Sequence, residues 1–145
     1  MRVDFYLLAR DPVEAALPRI ARSVKGAGER LLVVSGDAEQ LAAIDRALWE
    51  QFPEDFLAHG KVGEKHAARQ PLLLSGECGA DNGARYVAFA DGQWRDEAFG
   101  FERAFLFFDQ RTLDNARGTW RMLGEREDIE RHFWKQEGGR WVEGP

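Results

Sequence analysis

Ser35, Gly36 and Asp37 follow the apolar run LLVV and precede a helical pattern, the arrangement in which phosphate chemistry is most often found. A helix that begins in such a turn can hold a phosphate on its free amides. Neither GxGxxG nor GxxxxGK[ST] occurs in the chain, so the glycine cradle of the nucleotide-binding motifs is missing. The turn reads instead as a strand-to-helix connection with Asp37 as the cap. His59, His66 and His132 show neither HxxxH nor HExxH spacing, which gives no zinc motif. Cys78 lies in the glycine-rich stretch GECGADNG with His59 upstream, and nothing beside them makes the pair a nucleophile and its base. A single cysteine also excludes an internal disulfide framework. The acids are scattered through helical patterns, as on a solvated face. No catalytic residue, metal ligand or cofactor is expected.

Two groups of residues are suited to binding. Trp49, Phe52 and Phe56 surround a helix end and are flanked by Glu50, Glu54 and Asp55, the composition of an apolar anchor with a polar rim. The alternative is that Trp49 and Phe56 pack under the loop as a satellite core. Arg117 and Arg121 lie one helical turn apart with Trp120 beside them, and Arg111 precedes the same helix. Guanidinium groups grip carboxylates bidentately, so this group suits an acidic peptide or a free C-terminus. Leu113, Ala116, Trp120 and Leu123 also fit a buried helical stripe, which would leave the arginines merely facing solvent.

The elements that must position these residues are legible as an alternation. Residues 3–9 (VDFYLLA) read as a buried strand, and Asp11-Pro12 as the cap and first residue of a helix reaching Lys25. Leu31 to Val34 is the next strand, and Ala38 to Trp49 a helix stopped by Pro53. Residues 61–70 read as a polar loop. Strands follow over residues 71–75, 85–89 and 104–108, the last of them central. Asp109 caps a helix over Leu113 to Leu123 that Gly124 ends, and the tail forms a hairpin about Gly138-Gly139. The expected fold is α/β: one domain over residues 1–145, a mixed and largely parallel sheet flanked by helices in three layers, with a C-terminal hairpin.

Composition narrows the classes of function. The chain has 145 residues, 44% hydrophobic and 31% charged, which suits one soluble domain. No apolar run reaches a membrane span, and Asp4 interrupts the first strand where a signal peptide would be apolar, so the expected location is the cytoplasm. The 25 acids outnumber the 20 bases, and no basic run tracks a nucleic-acid backbone.

These features occur in an order that resembles the chi subunit of bacterial DNA polymerase III holoenzyme. The likeness rests on the opening DFYLL, the LLVV strand, ALW followed by Phe56 and His59-Gly60, the helix containing AR..WR, and the tail HFWKQEGGRW. It covers nearly the whole chain. The resemblance implies a non-catalytic accessory protein with an α/β fold. It implies binding to the acidic C-terminal tail of single-stranded-DNA-binding protein, which ends in Asp-Ile-Pro-Phe, and so a link between coated template and the clamp-loader assembly. The family's tail-binding positions fall on Arg117, Trp120 and Arg121, with a wall near Phe107. Trp120 stands where the family often has tyrosine, and Leu113 where some members carry lysine. The family's second surface, for the psi subunit or a helicase, falls on Trp49, Phe52 and Phe56. Two other functions are consistent with the residues alone. One is a small nucleotide-dependent enzyme using residues 35–38; the other is a direct single-strand binder that stacks bases on aromatics.

Overall fold

Eight strands form one sheet in the order β3-β4-β2-β5-β6-β1-β7-β8. This is a computed structural model, and it describes residues 1–54, 57–79, 82–137 and 140–144. The strands are β1 (Arg2–Leu7), β2 (Leu31–Val34), β3 (His59–Lys61), β4 (Leu72–Ser75), β5 (Tyr86–Phe89), β6 (Arg103–Phe108), β7 (Glu130–Glu137) and β8 (Arg140–Glu143). The helices are α1 (Val13–Gly26), α2 (Ala38–Glu50) and α3 (Leu113–Gly124). Every strand pair is parallel except β7 with β8, which is the expected antiparallel C-terminal pair.

The three layers follow from the side-chain alternation of the strands. Tyr6, Leu31, Val33, Leu72, Leu74, Phe105 and Phe107 face α1 and α2, where Leu17, Ala21, Ile44 and Leu48 close over them. Phe5, Leu32, Val34, Phe89, Leu106 and Phe108 face the other way and meet Ala116 and Leu123 of α3. A sheet buried on both faces needs continuous apolar runs, and LLVV, LLLS and RAFLFF supply them. Each fully buried leucine or phenylalanine stabilises the fold by about 1.5–3 kcal/mol.

Three local details differ from the sequence-based expectation. Pro12, not Asp11, occupies the cap position of α1, and no side chain caps that helix. The Asp11 carboxylate instead accepts from Gln136 Nε2 at 3.0 Å, tying the end of β1 to β7. Residues 59–61, which run into the first residue of the expected loop, form the edge strand β3, and a 3-10 turn follows inside that loop at Ala67–Arg69. A three-residue strand containing glycine has too little periodicity to register in sequence. Asp37 does cap α2, accepting from the Glu39 and Gln40 amides, and Asp109 and Thr112 bond reciprocally ahead of α3. The glycine pair 138–139 lies outside the described residues.

A buried carboxylate braces the middle of the sheet. Asp4 is fully buried on β1 and accepts from Arg103 Nε at 2.8 Å, Arg2 Nε at 3.2 Å and Trp134 Nε1 at 3.0 Å. Three donors from three strands satisfy an ion that would otherwise be costly to bury. Asp4 therefore holds β6, β1 and β7 in register, and these are the strands beneath α3.

Candidate functional site

A groove of about 450 Å³ runs between α3 and the sheet. Its floor is Phe5 and Leu7 of β1, with Phe108 from the end of β6 and Phe133 from β7. Leu113, Ala116, Arg117 and Trp120 of α3 form the opposite side, and Gln110 closes one end. The volume is within the range of about 300–1,000 Å³ typical of ligand sites. The walls are apolar, and Arg117 supplies a cation.

Trp120 is neither core nor free surface. Its indole meets the Phe5 ring edge-on, with centroids 5.1 Å apart and planes at 77°. The Arg131 guanidinium covers the ring at 4.3 Å from its centroid. Ala116 and Leu123 are the buried members of the helical stripe, whereas Leu113 and Trp120 are partly buried and line the groove. The stripe and the groove lining thus share one helix face.

Of the four residues expected at this site, the structure brings two to the groove. Arg117, itself exposed, and Trp120 line it; Arg121, one turn further along, is exposed outside it. Phe107 is not the wall. It is fully buried on the opposite face of the sheet, where its ring stacks on Tyr6 at 5.2 Å beneath α1. Adjacent strand residues point to opposite faces, so the wall is Phe108. Phe5, Leu7, Phe133 and Arg131 were not singled out from the sequence, because only the pairing of β1 with β6 and β7 brings them under α3.

The second expected surface divides in the same way. Trp49 is 50% exposed and lies over the His59 ring, with centroids 4.5 Å apart. His59 is itself buried, held between the Leu57 carbonyl oxygen at 2.7 Å and Asp45 Oδ1 at 2.7 Å. Phe52 turns inward against the core beneath α1 and α2, with the Arg22 guanidinium 4.8 Å above its ring. Phe56 lies outside the described residues. Trp49 is therefore the exposed member of the group and Phe52 packs as a satellite of the core.

A larger cavity, about 730 Å³, is a crevice at the carboxyl ends of β1 and β6. There the chain leaves β1 toward α1 on one face and leaves β6 toward α3 on the other, the usual place for a ligand in an open α/β sheet. Its lining opposes nucleotide binding. Asp11, Glu14, Asp37, Asp91 and Asp109 surround it against Arg10 and Arg111. The amides a phosphate would use are already taken: Gly36 N–H donates to Asp91 Oδ2 at 2.8 Å, and Glu39 N–H donates to Asp37 Oδ1 at 3.0 Å. Burial raises the Asp91 carboxyl, but Arg95 and the Gly36 amide outweigh it and hold the group below the usual carboxylate range. Among the described residues no group of three or more His, Cys, Asp and Glu side chains is placed to hold a metal ion. No described helix is long and apolar enough to cross a membrane.

The family model "DNA polymerase III chi subunit, HolC" matches residues 1–141 of the chain. The chain belongs to that family. The matched span contains both aromatic surfaces, all of α3 and the strands beneath it. Membership in the chi family gives the chain an accessory role in DNA replication, as a subunit associated with DNA polymerase III. No curated protein matches it.

Proposed function

We propose that this chain is a non-catalytic, single-domain adaptor that reads the acidic C-terminal tail of single-stranded-DNA-binding protein in the α3 groove. In this role it links coated template to the clamp-loader assembly in the cytoplasm. The observation that carries the reading is an apolar groove with Arg117 on its rim and Trp120 in its wall. A tail ending in Asp-Ile-Pro-Phe offers the matching chemistry. The phenyl ring enters between Trp120 and Phe133, the terminal carboxylate pairs with Arg117, and upstream acids pass the exposed Arg121. The half-exposed Trp49 supports a second contact, with the psi subunit or a helicase, away from the groove.

Chemical-shift mapping tests this assignment of surfaces. Adding the tail peptide should perturb the signals of Leu113, Arg117, Trp120 and Phe133 and leave Trp49 unchanged. Perturbation centred on Trp49 with a silent α3 would overturn it.

A further inference from the structure

We propose that Arg131 is a positioning residue for the groove: it fixes the Trp120 indole as a preformed wall and so sets the affinity for the peptide. This inference rests on the tail-reading role and adds to it a residue on a different element. Trp120 projects from a helix surface and is only partly buried, so contact with Phe5 on one side leaves the ring free to swing outward. Arg131 closes the other side. Its guanidinium lies 4.3 Å from the indole centroid, within cation–π distance. Its Nη1 also donates to the Trp120 backbone carbonyl at 2.7 Å. Ring and carbonyl of one residue are thus held by one planar group, which fixes the guanidinium relative to both helix and side chain.

A third contact shows how closely this clamp is fitted. A Cβ at Gly124 would stand 2.7 Å from Arg131 Nη1 and 2.9 Å from its Cζ. Glycine at the last residue of α3 leaves the space through which Arg131 reaches Trp120. The cation also lies at the C-terminal end of α3, where the helix dipole favours it. A side chain that is ordered only on binding subtracts its lost freedom from the affinity, and Arg131 removes that cost before the peptide arrives.

The test uses Arg131→Lys, which keeps the charge but loses the planar stacking group, and Gly124→Ala, which crowds Arg131 from the helix side. Two peptides are titrated: the acidic tail ending in Asp-Ile-Pro-Phe, and the same peptide with its upstream acids neutralised. Both variants should bind about three- to tenfold more weakly than wild type, by the same factor for each peptide. In fluorotryptophan-labelled free protein, the Trp120 fluorine signal should broaden or shift, with Trp120→Phe used to assign it. Arg131→Lys placed on Trp120→Ala should cost nothing more. Wild-type affinity in both variants would overturn the inference and leave the tail-reading role standing. A loss confined to the acidic peptide, with an unchanged fluorine signal, would make Arg131 a direct charge contact and also overturn it. Absence of peptide binding by wild type would remove the tail-reading role and this inference together.

Discussion

Arg117 and Arg121 are chemically alike and one turn apart, yet the structure gives them unequal positions. Both are exposed, but Arg117 lines the groove beside Trp120 whereas Arg121 lies outside it. A guanidinium whose pairing with a terminal carboxylate excludes water at the mouth of an apolar site contributes about 1.5–3 kcal/mol, whereas an ion pair in open solvent contributes about 0–1 kcal/mol. Arg117→Ala should therefore weaken tail binding by about ten- to a hundredfold, and Arg121→Ala by about five-fold at most. Calorimetric titration of both variants with the same peptide checks the ratio. Equal losses would place the carboxylate between the two arginines. The neighbouring phenylalanines differ for a comparable reason. Phe107 packs on Tyr6 under α1, and Phe108 lines the groove, because one step along β6 changes the face.

At the scale of elements, α3 carries a cost that nothing within the chain explains. Gly118 sits in the middle of the helix, and a Cβ built there meets nothing within 4 Å. Gly118→Ala should raise stability by about 0.5–1 kcal/mol, read from denaturant midpoints at unchanged slope. A lower midpoint would show that the backbone at Gly118 is not ordinary helix. The β7–β8 pair carries a second testable feature. Glu143 and Glu130 both bond to His132, in that order of effect, and hold its imidazole above the usual histidine range. A raised folded-state pKa contributes stability that is full below about pH 6.5 and is lost as pH rises through the raised value. Hydrogen exchange at Val142, corrected for its intrinsic rate, should accelerate over that window in wild type and not in His132→Gln. Identical profiles would remove His132 from the account.

The same elements show what was legible in the chain. Strong apolar runs gave β2, β4 and β6 and so the layered α/β sheet, and the caps at Asp37 and Asp109 gave the starts of α2 and the turn before α3. The short edge strand β3 was hidden because His59–Lys61 offers no alternation. The α3 side of the groove was legible through AR..WR, since the arginines and tryptophan are local in sequence. The sheet side was not. Phe5 and Arg131 meet Trp120, and Phe133 joins the same groove, only through the register Phe5↔Phe133, a pairing between residues at opposite ends of the chain. The exposure of Trp49 and partial burial of Phe52 likewise depend on how α2 ends against α1 and β3, which no local pattern specifies.

For the whole molecule, an excess of five negative charges argues against tight contact with phosphate backbone. At the groove the cations Arg117 and Arg131 come from α3 and β7, while five acids line the crevice at the carboxyl ends of β1 and β6. The two cavities therefore carry opposite chemistry within one small protein, and the groove is the one suited to an acidic peptide. The most direct test is fluorescence anisotropy of a labelled peptide ending in Asp-Ile-Pro-Phe, with Arg117→Ala and a peptide lacking the final phenylalanine as controls. The account predicts saturable binding by wild type that falls at least about tenfold in each control. A flat titration at high protein concentration, or binding indifferent to the terminal phenylalanine, would contradict it.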